Sequence, residues 1–228
     1  MITIVAVDDD SEFSHDLKRL GKTIEGSFRD TVEAQQINPN DFGGKSGSDA
    51  ASSTLFAAVQ NVAERGCDVF AVDIQLKDTG ANNASNLALA LEVANVFRKY
   101  NRTAILFLYS GTLSKFIKLL LAQDTTAKQK VAEANLRTIF QNQVAEFVSR
   151  DDLEGVVILA LRDLPMPLRI EKELSSHKQR RVRGEESVFK GRSFQELASE
   201  VRRQSNLGRQ IIEIVTKHGV AALVDLNL

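Results

Sequence analysis

Five short apolar runs punctuate the first two thirds of the chain: Ile2–Val7, Thr31–Ile37, Asp68–Val72, Thr103–Tyr109 and Val144–Val148. The first, third and fourth are nearly unbroken in apolar residues, the pattern of strands covered on both faces. The second, "TVEAQQI", is partly polar and reads as a strand nearer an edge. Between the runs the apolar spacing changes to that of helices: Phe13, Leu17, Leu20, Ile24; then Leu55, Val59, Val62; then Leu87, Leu91, Ala94, Phe97. A fourth stripe starts at Leu113, Phe116, Ile117 and Leu120, and a fifth holds Leu153, Val156, Val157, Ala160 and Leu164. Such alternation predicts an α/β domain around a doubly wound, five-stranded parallel sheet.

Two stretches read as additions to that plan. Residues 38–53, "NPNDFGGKSGSDAASS", are rich in turn formers and read as a connector. Their "GGKS" lacks the glycine of a phosphate-binding loop, since Pro39 stands at that place. Residues 121–143 read as a helical insertion. "LPMPL" closes the domain at residue 164, leaving 165–228 as a charged linker and helical extension. In that extension Ser193 and Glu196 form an S-x-x-E capping box before Phe194, Leu197, Val201, Ile211 and Val215. Those residues read as one helix with Gly208 as its weak point, ending near Lys217, His218 and Gly219.

Charge sharpens the division. The net charge is −1, yet residues 165–228 carry 12 Lys and Arg against 8 Asp and Glu, so the acidic excess lies in the first part. The basic run Lys178, Arg180, Arg181, Arg183 runs straight into Glu185 and Glu186, with no helix-turn-helix pattern, which argues against nucleic acid as the partner. A single cysteine, Cys67, excludes an intrachain disulfide and suits a reducing compartment. No secretion signal and no membrane-length apolar run are visible, so the expected location is the cytoplasm.

The chemistry gathers where these runs end. In a parallel α/β sheet, ligands bind beyond the carboxyl ends of the strands. The first run ends in Asp8, Asp9 and Asp10; the third, "DVFAVD", in Asp73; the fourth, "ILFLYSGT", in Ser110; and the fifth, "VAEFVSRDD", in Ser149 and Arg150. Crowded carboxylates need a cation, and Mg²⁺ binds through a few carboxylates while keeping several waters. With such an ion a phosphoryl group can approach Asp73 as nucleophile, while a hydroxyl and a cation hold its other oxygens. A D-x-D-x-T/V phosphatase signature is not met, because Glu12 stands where Thr or Val is required.

The ordered set "VDDD", "AVDIQL", "LYSGT" and "FVSRDDLEGVVILAL" resembles the receiver domains of two-component response regulators over roughly residues 1–164. The resemblance implies Asp8 and Asp9 as the acidic pocket for Mg²⁺, with Asp73 as phosphoacceptor and the Gln75 backbone carbonyl completing the metal shell. It further implies Ser110 as the switch hydroxyl and Phe147 as the aromatic switch residue. Asp10 would only begin or cap the following helix. The implied donor is a sensor histidine kinase or phosphotransfer protein. The implied response is a changed protein interaction, including a homodimer through the fourth helix and fifth strand or through the extension. The chain would not otherwise be an enzyme. Arg150 stands where the family has lysine, Asp151 where it has proline, and the spacings are stretched by the two additions. These departures suit an alternative: a phosphorylation-independent pseudo-receiver serving as an interaction scaffold. A basic side chain filling the gap between the aspartates would favour that alternative.

Overall fold

The computed structural model describes residues 1–42, 48–76, 87–111, 126–182 and 189–225. The apolar runs become five parallel strands: β1 (Ile2–Val7), β2 (Val32–Ile37), β3 (Val69–Asp73), β4 (Ile105–Ser110) and β5 (Glu146–Ser149), in the order β2-β1-β3-β4-β5. Burial explains the order. Every residue of β3 and β4 is buried, as central strands require, whereas β2 alternates exposed and half-buried positions and closes one edge. The arrangement is the flavodoxin-like α/β fold with further helices at its C-terminal end.

Chirality distributes the helices. The chain leaves β1 through α1 (Phe13–Phe28) to β2, then reverses direction across the sheet through α2 (Ser48–Arg65), α3 (Leu87–Tyr100) and α4 (Thr126–Gln141). Right-handed crossovers therefore put α1 on one face and α2, α3 and α4 on the other. The last helix of this unit, α5 (Leu153–Arg162), packs with α1. Each face has an aromatic anchor. Phe70 on β3 stacks on Phe97 of α3 with ring centroids 3.9 Å apart, and Phe13 of α1 stacks on Tyr109 of β4 at 5.3 Å.

Two readings of the sequence need correction here. Residues 38–53 are not one connector: Pro39–Phe42 form a 3₁₀ turn with Pro39 buried, and Ser48 already begins α2. The Ala- and Ser-rich start of α2 lacks large apolar residues but is compatible with a helix. The single C-terminal helix is two, α7 (Phe194–Arg203) and α8 (Asn206–Asp225). Gln204 turns left-handed with φ of 47°, and the Ser205 hydroxyl then accepts the Gly208 N–H to start the second helix. Helix α8 also runs past Lys217–Gly219 to Asp225. The stripe Leu113–Leu120 and residues 121–125 lie outside the described residues.

Contacts divide the chain into two units, Met1–Lys99 with Ile105–Arg162, and Tyr100–Ala104 with Asp163–Leu228. The second unit is built from α6 (Met166–Ser176), α7 and α8 around Ile170, Leu197, Val201 and Ile211. The capping box is formed, with Glu196 N–H donating to Ser193 Oγ and Ser193 N–H to Glu196 Oε2. A buried carboxylate fixes the Tyr100–Ala104 segment: Glu171 accepts from Thr103 Oγ1 and, at 2.7 Å, from Arg202 Nε. Among the described residues, no helix is long and apolar enough to cross a membrane.

Candidate functional site

The sheet delivers its acids to one place. β1 and β3 are neighbours in register, Val7 opposite Val72, so Asp8 follows β1 in the row where Asp73 ends β3. On the other side of β3, Asp73 pairs with Tyr109. Oxygens of Asp8, Asp9 and Asp73 lie within 4.8 Å of one another. Main-chain geometry fixes this convergence. Asp10 N–H donates to Asp8 Oδ1 at 2.7 Å, and Gln75 N–H to Asp73 Oδ1 at 2.9 Å, so each acid closes a tight turn on itself. The Gln36 amide donates to the carbonyls of Asp8 and Asp10, and the Asn40 amide to that of Asp9. The partly polar edge strand β2 and the turn after it thus hold the acidic loop from the side.

A basic side chain stands in the gap. Arg150 follows β5 and is tied to β4 by its N–H, which donates to the Ser110 carbonyl at 2.8 Å. Its Nη2 donates to Asp8 Oδ2 at 2.7 Å, its Nη1 to Asp10 Oδ2 at 2.8 Å, and Nη2 lies 3.6 Å from Asp73 Oδ2. The guanidinium also faces the Phe13 ring, 5.0 Å from its centroid. Tyr109 donates its phenol O–H to the same Asp8 Oδ2 at 2.6 Å. Asp8 is fully buried and nonetheless has three donors.

Electrostatics follows from burial. Desolvation raises the pKa of Asp8 above its ordinary value, opposed by the Tyr109 and Asp10 donors and by Arg150. Asp73 is pushed up to about 6, first by burial and then by the charge of Asp8, against the Gln75 N–H and Arg150. The Tyr109 phenol is raised well above its usual range by burial and by Asp8, so it stays a donor. Burial works against the charge on Arg150, but its bond to Asp10 and the charges of Asp8 and Asp73 outweigh that and raise it.

The two halves of the arginine bridge differ in weight. Asp10 is 41% exposed and Arg150 27%, so that pair contributes about 0–1 kcal/mol. Asp8 is 0% exposed, and removing the cation from a buried pair of that kind costs about 3–5 kcal/mol. The Asp8 contact is the one that matters.

The donor set is right in kind for a hard divalent ion, three carboxylates converging on one point. One guanidinium offsets only one of these negative charges, but it takes the oxygen that matters most: Asp8 Oδ2 already accepts two hydrogen bonds. A divalent ion at these carboxylates would compete with Arg150 and Tyr109 for Asp8 Oδ2.

Of the residues singled out in the sequence, Asp8, Asp9, Asp73 and Arg150 are brought together. Ser110 ends β4 in the position paired with Ser149, and its buried hydroxyl finds no hydrogen-bond partner among the described residues. Phe147 is half-buried on β5, paired with Leu108. Gln75 takes part through its N–H. Asp10 does more than open a helix: its Oδ1 takes the Glu12 N–H at 2.9 Å while Oδ2 takes Arg150. Tyr109 and Phe13 belong to the site and were not foreseen. The available signal was a polar-tipped aromatic one position before Ser110, in register with the strand-end acid of β3. No family model matches this chain and no curated protein matches it.

Proposed function

We propose that the chain is a receiver-like interaction module that works without phosphorylation, its acidic pocket holding Arg150 as a built-in cation. The observation that carries this reading is the guanidinium joined to Asp8 and Asp10 and facing Asp73. A pocket that supplies its own cation does not call for Mg²⁺ to hold its carboxylates together. The fold then serves as a platform, and the first unit offers apolar surface for a protein partner: Phe140 is 76% exposed and Leu136, one helical turn away on α4, 38%. Neither residue contributes to the core, so both are available to bury against another protein.

One observation favours the other reading, in which Asp73 is phosphorylated. The Ser110 hydroxyl is buried without a partner among the described residues, an arrangement that costs about 1–3 kcal/mol. A phosphoryl oxygen would satisfy it. In that reading a phosphohistidine N–P bond on a sensor histidine kinase or phosphotransfer protein breaks as an O–P bond forms to Asp73. Arg150 turns from Asp8 toward the new phosphoryl oxygens, and Phe147 follows Ser110. Mg²⁺ at Asp8, Asp9, Asp73 and the Gln75 carbonyl would supply charge shielding. Both readings leave the chain without an activity on other molecules.

The deciding experiment is incubation with acetyl phosphate and Mg²⁺, followed by intact-mass measurement of wild type and Asp73→Ala. The expected result is no phosphoryl adduct on either protein. An adduct on wild type that Asp73→Ala lacks overturns the proposal in favour of phosphorylation.

A further inference from the structure

Tyr109 and Arg150 both donate to one oxygen of Asp8. Tyr109 is 1% exposed, with its ring stacked on Phe13, so its phenol has no route to solvent. The O–H is spent on Asp8 Oδ2 at 2.6 Å, the oxygen that also accepts from Arg150 Nη2 at 2.7 Å. On the other side of the carboxylate, Oδ1 accepts the Asp10 N–H at 2.7 Å. A carboxylate has about four lone-pair sites, so three of them are taken and its rotation would break every bond at once. The three donors are not equal. Arg150 is 27% exposed and reaches the pocket on a flexible stem, so it can withdraw. The backbone N–H and the core phenol cannot.

We propose that Tyr109 is a positioning residue that makes the pocket selective for a guanidinium over a divalent cation. The phenol pins Asp8 Oδ2 in the orientation that Arg150 needs and draws charge from it by a short, charge-assisted bond. A divalent ion needs that oxygen with its charge undiluted and pays for each donor already on it. The residue therefore keeps the site weak for metal even when Arg150 has moved aside. This rests on the reading of Arg150 as the resident cation.

The probe is Mn²⁺, with the free ion counted by its electron paramagnetic resonance signal, and Arg150→Met as the background because methionine keeps an unbranched stem and removes the charge. Wild type is expected to show no saturable binding, and Arg150→Met to bind Mn²⁺. Adding Tyr109→Phe to Arg150→Met should tighten the dissociation constant on the order of tenfold, the size expected for one hydrogen bond to a charged group. A merely structural tyrosine would lower thermal stability and leave the Mn²⁺ constant where Arg150→Met put it, and that result overturns the proposal. Absence of Mn²⁺ binding in both variants, with both folded by circular dichroism, overturns it as well. Saturable binding by wild type contradicts the resident-arginine reading, while the comparison of the two variants still decides the role of Tyr109. Should the double variant not fold, Arg150→Lys replaces Arg150→Met as the background: a Mn²⁺ constant that Tyr109→Phe tightens there supports the proposal, and one that it leaves unchanged overturns it.

Discussion

Arg150 and Asp8 stand 142 residues apart in the chain and 2.7 Å apart in space, the guanidinium closing over a carboxylate that solvent does not reach. The three like charges that end β1 are tolerated because this cation comes from β5, on the far side of β3 and β4. Folding the sheet in its observed order is what completes the pair.

Removing the cation should therefore unfold more than a surface arginine would. Arg150→Met is expected to lower stability by about 3–5 kcal/mol in urea denaturation, because Asp8 is left buried without its partner. Adding Asp8→Asn should recover part of the loss, since the uncompensated charge is then gone. A double-mutant cycle between the two positions should give a coupling well above about 0.5 kcal/mol. A coupling below that value would mean the pair is incidental.

Asp73 should weaken the fold at neutral pH. Its folded pKa, about 6, lies above the ordinary 3.8, so the folded state holds its proton more tightly than the unfolded chain does. Stability from this group is greatest below 3.8 and falls as pH rises toward 6, by about 3 kcal/mol at most. Asp73→Asn keeps an acceptor for the Gln75 N–H and removes the titration. It should stabilise the protein by about 1–3 kcal/mol at pH 7.5 and by much less at pH 4. Denaturation midpoints at the two pH values test this, and destabilisation at both would contradict it.

Much of this is legible in the sequence. β1, β3 and β4 are nearly unbroken apolar runs because both their faces are covered, and the polar positions of β2 betrayed an edge. The acids were found because a parallel sheet exposes the ends of its strands at one rim. What could not be read is which side chain turns inward once there. Tyr109 and Asp10 look like a core aromatic and a helix-start residue until Asp8 is seen between them. The break between α7 and α8 was equally hidden, because it uses a left-handed glutamine at 204, whereas the suspicious Gly208 lies inside a helix.

Gly208 has a different purpose. A Cβ there would stand 2.1 Å from the Glu200 carbonyl oxygen and 2.9 Å from the Val201 nitrogen, so α7 and α8 can approach this closely only because the side chain is absent. Gly208→Ala is expected to cost about 1–3 kcal/mol despite the better helix propensity of alanine. Hydrogen exchange should show the loss in the amides of both helices. Unchanged protection would mean that the backbones move apart at no cost.

The central claim is that Arg150 already supplies the cation of the acidic pocket. Its most direct test is a Mg²⁺ titration of the wild-type protein, followed by nuclear magnetic resonance at the backbone amides of Asp9, Asp10, Ile74 and Gln75. The expected result is no saturable shift at physiological magnesium. A saturable shift shared by the loops after β1 and β3 would show that a divalent ion takes the place of Arg150, and would contradict the account.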